Sequence, residues 1–144
     1  MSGSDAPFGL SRIGQIAVRV HDLERAVAFY RDTLGMRFLF QAPPGLAFFD
    51  CAGVRLLLDW VQDAAFDHPA SVIYYSVPDI RAAHQTLLGR SGRFLQDPHR
   101  IATLGNVEVW MAFFRDPDEN VLALMSEVLV GGPAQGRAAG SSRD

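Results

Sequence analysis

Cysteine is almost missing from this chain: Cys51 is the only one in 144 residues. That excludes an internal disulfide and fits a reducing cytoplasm. No apolar run approaches the roughly 20 residues that a membrane-spanning helix needs. The first residues lack a basic region followed by an apolar stretch, so no secretory signal is read there. Positive charge is not in excess either. Thirteen Lys plus Arg stand against 16 Asp plus Glu, for a formal net charge of -3, without the clustered basic face that nucleic acid requires. These absences point to a soluble, cytoplasmic, one-domain protein that partners neither nucleic acid nor membrane. Hydrophobic residues make up 49% and charged residues 20%, enough for an ordinary globular core.

Residues 1–9 and 131–144 are small, polar or Gly/Ala/Ser/Arg-rich and are expected to be flexible tails. They cannot bury enough apolar area to offset the entropy of ordering. Between them, residues 10–129 are expected to form one domain of two similar halves, about 10–61 and 71–129. Residues 13–20 alternate in period two, as a half-buried strand does. Asp22 then stands where a helix N-cap belongs. Leu23, Val27, Tyr30 and Leu34 follow at helical spacing, and Gly35 is placed to end the helix. Strands are predicted over 36–41, 46–51 and 54–60, with turns at Pro43-Pro44-Gly45 and Cys51-Ala52-Gly53. The same order then recurs. A strand is predicted over 72–77, and Asp79 caps a helix running to about Leu88 that Gly92 closes. Strands over 93–96, 107–115 and 121–127 follow, the last two joined by Asp116-Pro117-Asp118-Glu119-Asn120.

The repeat has a numerical form. An offset of 57 carries Val20 to Val77, Asp22 to Asp79, Ala26 to Ala83 and Gly35 to Gly92. From the fourth strand the offset is 66, carrying Leu56 to Leu122 and Leu58 to Leu124, with the nine extra residues falling near 100–108. Two βαβββ units of this kind cannot each bury their own apolar face, so they are expected to pair in an α+β fold.

The segment IGQIAVRVHDLERAVAFYRDTLGMRFL (13–39) is similar to the opening module of the vicinal oxygen chelate superfamily, the glyoxalase, bleomycin-resistance and extradiol dioxygenase fold. The segment FFRDPDENVLALM (113–125) resembles that family's closing hairpin, usually written DPDG or DPxGN. With Pro78-Asp79-Ile80 at the middle helix, the likeness spans roughly residues 10 to 129. It implies that the two modules wrap eight strands into a cup or half-barrel. In the enzymes of the family, the first and fourth strands of each module supply four inward ligands to one divalent metal. Substrate oxygens complete its coordination.

Carried over one at a time, those four positions are Gln15, Leu57, Val72 and Ala123. Glutamine serves as a ligand in some glyoxalase I enzymes, whereas Leu, Val and Ala have no lone pair to offer. A slip of one residue puts Leu56 or Leu58, and Leu122 or Leu124, in place of Leu57 and Ala123, and restores no donor. The resemblance therefore implies a cup without the usual metal and without another cofactor.

Strand parity puts Ala17, Arg19, Arg55, Asp59, Tyr74, Ser76, Val121 and Met125 on the same face as those four positions. That is an apolar floor with a few polar groups, suited to a small molecule. Arg19, four residues after Gln15, resembles an arginine that in glyoxalase I holds the substrate's anionic end. Otherwise it is a strand-end arginine paired with Asp59 or Glu127. His99 and Glu108, near the seventh strand, are candidates for acid–base chemistry or a relocated metal site, or else a loop histidine and a rim carboxylate. Trp110 shares the face of Glu108, Ala112 and Phe114 and is a further candidate for ligand contact. His68 and His84 read as surface residues, and His21 gives no clear signal. Cys51 reads as a small buried hydrophobe rather than a nucleophile. Phe38, Phe40, Phe48 and Phe49 are expected to be mostly core, with part of the cluster available to a flat ligand.

Two readings of function stay open, beside a third in which the cup is only a scaffold and the protein works through a partner. One is a metal-independent binder of a small, partly apolar molecule with an anionic group. The other is a glyoxalase-class lyase or isomerase with a relocated metal or metal-free acid–base site. Members of the family commonly pair as homodimers, and that is expected here too.

Overall fold

The computed structural model describes residues 7–130; most of the two expected tails lies outside that range. Among the described residues nine strands and two α-helices follow in order: β1 (Gln15–Val20), α1 (Leu23–Ala28), β2 (Arg37–Ala42), β3 (Leu46–Cys51), β4 (Val54–Trp60), β5 (Ile73–Ser76), α2 (Ile80–Gly89), β6 (Arg93–Phe94), β7 (His99–Leu104), β8 (Val107–Arg115) and β9 (Val121–Leu129). They form two mixed sheets that do not close into a barrel. One runs β1-β4-β3-β2, the other β5-β9-β8 with β6 and β7 both on the far edge of β8.

The repeat survives at the level of single registers. Ile16 pairs with Leu56 and Ala17 with Leu57 in the first sheet. Ile73 pairs with Leu122 and Tyr74 with Ala123 in the second. The offsets of 57 and 66 convert one set into the other. Both helices start alike: Asp22 Oδ1 accepts from the Arg25 amide at 3.1 Å, and Asp79 Oδ1 accepts from the Ala82 amide at 3.1 Å. Each cap gives one of the otherwise unpaired first-turn N–H groups an acceptor.

The helix ends differ. After Ala28 the first helix widens into one π-helical turn, Phe29–Thr33, in which the Leu34 amide reaches back to the Phe29 carbonyl at 2.9 Å. Gly35 then takes a left-handed φ of +72°, as its place at the helix end suggested. After α2 it is Ser91, not Gly92, that turns left-handed, at φ +68°. Gly92 is needed for a different reason. Its amide bonds the Leu87 carbonyl at 2.8 Å, and a Cβ there would stand 2.8 Å from that same oxygen. The wider turn gives the first module one more helical residue before its left-handed stop.

One strand more is present than the eight expected. The strand predicted over 93–96 is only Arg93–Phe94, and the edge of β8 is taken up again by β7. Phe94 pairs with Phe114, but His99 pairs with Met111, so two residues are looped out between them. Pro98 lies in that break and has no N–H to give a ladder. The extra residues placed near 100–108 lengthen the β7–β8 hairpin, which turns at Gly105 with φ +64°.

One face of each sheet carries its helix. The core between them joins Val18, Val20, Phe49, Leu56 and Leu58 from the first module to Ala112, Phe114, Leu122 and Leu124 from the second. Ala26, Val27 and Tyr30 enter it from α1, and Ile80 and Leu87 from α2. Each large apolar side chain fully buried here contributes roughly 1.5–3 kcal/mol relative to exposure. His84 also belongs to this side. It is 5% exposed, with its ring edge-on to Phe94 at 4.5 Å, and is not the surface residue expected from its helix position. Among the described residues no helix is long and apolar enough to cross a membrane.

Candidate functional site

The second face of each sheet bears no helix, and the strand registers define what lies on it. In the first module Gln15 and Ala17 of β1 stand beside Arg55 and Leu57 of β4. Phe48 of β3 follows, opposite Leu57, and then Phe40 of β2, opposite Phe48. In the second, Tyr74 of β5, Ala123 of β9 and Phe113 of β8 lie in one row, with Ser76, Met125 and Met111 in the next. Leu57 is 9% exposed and Ala123 fully buried, although neither joins the helix-side core. The Tyr74 and Phe113 rings flank Ala123 from the two neighbouring strands and meet edge-on, with centroids 6.0 Å apart. They close over the spot into which a longer side chain at 123 would project.

Gln15, Leu57 and Ala123 thus stand on the helix-free faces, as strand parity indicated. Val72, just before β5, is 39% exposed and shares the parity of Tyr74. One amide and three hydrocarbon side chains do not make the donor set of a divalent ion. Among the described residues no group of three or more His, Cys, Asp or Glu is arranged to hold a metal.

The aromatic cluster of the first module is split between the faces. Phe38 and Phe49 pack on the core side with ring centroids 5.4 Å apart, while Phe40 and Phe48 pair on the helix-free side at 4.8 Å. A register shift between Phe38 and Phe40 lets both face as they do.

Arg19 does not reach toward a ligand. Its guanidinium donates to Asp67 at 3.0 Å, to the Asp118 carbonyl at 3.2 Å and to Asn120 Oδ1 at 3.4 Å. It is a clasp between β1, the 61–70 connection and the β8–β9 turn. Neither Asp59 nor Glu127 is its partner. His21 joins the same clasp through Nε2, 2.8 Å from Asp67. Those contacts, first the His21 hydrogen bond and then that of Arg19, hold the Asp67 carboxyl below its usual range. A carboxylate whose folded-state value is depressed adds stability that is complete above its unfolded value and lost as pH falls through the folded one. Asp67→Asn is therefore expected to lower the urea midpoint at pH 7 and to leave it unchanged at the acid end. Parallel urea titrations across pH check this, and an equal loss at every pH would rule out the ionic clasp.

His99 and Glu108 are not brought together. His99 opens β7 opposite Met111, on the helix-free side, and contacts Gln96. Glu108 lies on the other face, where Oε1 accepts from Trp110 Nε1 at 3.1 Å and Oε2 from Arg100 at 3.3 Å. Trp110 shares that face: it packs against the core, and Arg81 of α2 lies over its ring at 5.2 Å. Period-two alternation had grouped Trp110 correctly with Ala112 and Phe114, but that group faces the helix. Cys51 is half-buried, and burial followed by the nearby Asp50 charge pushes its thiol up, away from the reactive thiolate.

The turn Asp116–Asn120 holds more than its sequence suggested. Asp116, Asp118 and Asn120 are all buried. Asp116 Oδ1 accepts from the amides of Asp118 and Asn120 at 2.8 and 2.9 Å, and Oδ2 from Tyr30 Oη and Asn120 Nδ2 at 2.8 and 2.9 Å. Asn120 also donates to the Arg19 carbonyl and accepts from the Ala70 amide, both at 3.2 Å. Burial first, then the Asp116 charge, raises the Tyr30 phenol well above its usual value, so it remains a donor. An open groove of about 610 Å³ lies beside this turn, between the α1 segment and the residues that follow α2. Its arginines are already engaged: Arg25 with Asp118, Arg90 with the Thr33 carbonyl, and Arg93 with Glu119 and the Asp116 carbonyl.

Two βαβββ units with the same strand order and register, each with one helix-free face, define a paired-module α+β protein of the glyoxalase type. The chain belongs to the Glyoxalase/Bleomycin resistance protein/Dioxygenase superfamily, whose family model matches residues 12–124. Solved structures show the same fold. A lactoylglutathione lyase from Agrobacterium tumefaciens is 23% identical with a TM-score of 0.64, over 82% of this chain and 95% of that one. A virulence protein from Salmonella typhimurium is 18% identical with a TM-score of 0.69, over 84% and 100%. A superfamily member from Sphaerobacter thermophilus is 21% identical with a TM-score of 0.67, over 81% and 98%. No curated protein matches the chain.

Proposed function

We propose that this protein binds a small, partly apolar molecule bearing an anionic group on its helix-free sheet faces, without a metal ion at the family's ligand positions. The observation that carries this reading is the row Tyr74–Ala123–Phe113. Where a family ligand would project, two aromatic rings meet over an alanine. Such a surface binds by apolar contact, with a few polar groups setting orientation. In the first module the same position is Leu57, beside Phe48 and Ala17.

The enzymatic alternative, a lyase or isomerase of the glyoxalase class, has the fold shared with the Agrobacterium lyase in its favour. Its metal-free form needs His99 and Glu108 to act on one substrate, and their placement on opposite faces of β8 and its partner speaks against that. The cytoplasm is proposed as the location on the strength of the single cysteine. A homodimer is proposed because Trp60, Leu104 and Leu129 are each between 43% and 65% exposed. Sedimentation of the purified chain checks the dimer.

Elemental analysis of the untagged protein, before and after dialysis against a chelator, tests the metal-free reading. The expected result is no divalent metal approaching one per chain. Retained stoichiometric metal linked to turnover of a glyoxalase-type substrate would overturn it. A thermal-shift screen of small hydrophobic anions tests binding itself, with a concentration-dependent rise in Tm expected for a true ligand.

A further inference from the structure

We propose that Arg55, not Arg19, is the residue that recognises the ligand's anionic end, and that the ligand carries a flat aromatic group seated on Phe40 and Phe48. The inference rests on the binding reading above and deepens it to a class of compound, the aromatic carboxylates.

Three observations meet at this place. First, Arg19 is consumed by its clasp, with three acceptors around its guanidinium and a side chain only 16% exposed. Arg55 is exposed, and among the described residues its guanidinium enters no ion pair. Its cross-strand neighbour Asp50 instead accepts from the Gly53 amide in the β3–β4 turn. Second, the Arg55 guanidinium lies over the Phe48 ring, 5.8 Å from its centroid. An aromatic face positions a guanidinium while leaving its in-plane N–H groups free to donate. The Phe48 ring is itself paired with Phe40 at 4.8 Å and a 35° tilt, and Phe40 is 49% exposed. Cation and aromatic platform are therefore adjacent, and Gln15 stands in register beside Arg55 with a further amide.

Third, the repeat isolates this feature to one module. Under the same offsets Gln15 answers to Val72, Arg55 to Val121 and Asp59 to Met125, while Phe48 and Phe113 occupy matching places beside Leu57 and Ala123. Both modules keep an aromatic ring next to the family's ligand position; in the second, Arg115 on the Phe113 side of β8 is held by Glu119, while in the first Arg55 stands over the Phe48 ring. Asp59 lies at the opposite end of β4 from Arg55 and repels an anion there, while at the Arg55 end Asp50 stands between Arg55 and Arg37 in register. A guanidinium fork matches the two oxygens of a carboxylate, and an aromatic ring attached to it reaches the Phe pair by offset stacking.

Isothermal titration of the full chain with 2-naphthoate and with its neutral isostere 2-naphthamide tests the proposal. The carboxylate is expected to bind about tenfold more tightly than the amide at low salt, the scale of one charge-assisted hydrogen-bonded pair. Arg55→Met is expected to abolish that advantage, Arg55→Lys to retain part of it, and Arg31→Met, a substitution in the π-helical turn after α1, to leave it intact. Phe40→Ala is expected to weaken both probes. An advantage that survives in Arg55→Met, or that is lost in Arg31→Met, overturns the assignment. So does equal binding of both probes to the unaltered chain, although the binding reading then stands. If neither probe binds, the aromatic carboxylate assignment falls, and the wider thermal-shift screen decides separately whether the faces bind any apolar molecule. Urea midpoints of the variants close to that of the parent exclude misfolding as the cause.

Discussion

Replacing Asp116 with alanine is expected to lower the unfolding free energy by about 3–5 kcal/mol, against a total that for domains of this kind is about 5–15 kcal/mol. The carboxylate is fully buried and accepts from four donors on three residues: the Tyr30 hydroxyl, the Asn120 side-chain amide, and the backbone amides of Asp118 and Asn120. Deleting it leaves those donors buried without an acceptor, and each such orphan costs about 1–3 kcal/mol. Relief from desolvating one carboxylate works in the other direction, but it offsets only part of four simultaneous losses. Asp116→Asn, which keeps one acceptor oxygen, is expected to cost less. Tyr30→Phe is expected to cost about 1–2 kcal/mol, and much less than that when Asp116 is already alanine, because the two groups share one bond. Urea unfolding followed by tryptophan fluorescence measures all three variants. A loss under about 1 kcal/mol for Asp116→Ala would mean that the turn is solvated and does not join the modules.

The second large effect contrasts two neighbours in sequence. Phe49→Ala is expected to destabilise by about 3–5 kcal/mol, since it removes a fully buried ring and leaves a cavity among Tyr30 and Phe38. Phe48→Ala, one residue earlier but on the helix-free face, is expected to cost less than half as much, because its ring is only partly covered. In thermal melts the first change corresponds to a drop on the order of 10–20 °C. Equal losses for both would mean that the helix-free face is packed like a core and is not a binding surface.

Much of the fold was legible because its signals are local. The caps at Asp22 and Asp79, the alternation of β1, and the offsets of 57 and 66 all follow from short-range chemistry. The structure reproduces them down to the pairing of Ile16 with Leu56 and of Ile73 with Leu122. The split of the second module's edge strand was not legible, because it depends on a two-residue slip against β8 that no local pattern announces. The site was legible in part. Parity placed Gln15, Leu57, Tyr74 and Ala123 on one type of face. It could not say which face of β8 the helix covers, and so it did not show that Trp110 and Glu108 share the face packed toward α2.

Arg19 shows the limit most clearly. Its spacing from Gln15 suited an anion anchor, but its partners Asp67, Asp118 and Asn120 lie 48, 99 and 101 residues away in sequence. By itself the sequence determined the strands outside the 93–104 edge, the helix caps, the repeat and the family, since each is written in neighbouring residues or in a fixed period. Only the tertiary structure decided which arginine is engaged and which is free, that His99 and Glu108 stand apart, and that a five-residue turn locks the two modules together. Those outcomes depend on which distant segments meet, and hydrogen bonds across a hundred residues leave no period in the chain.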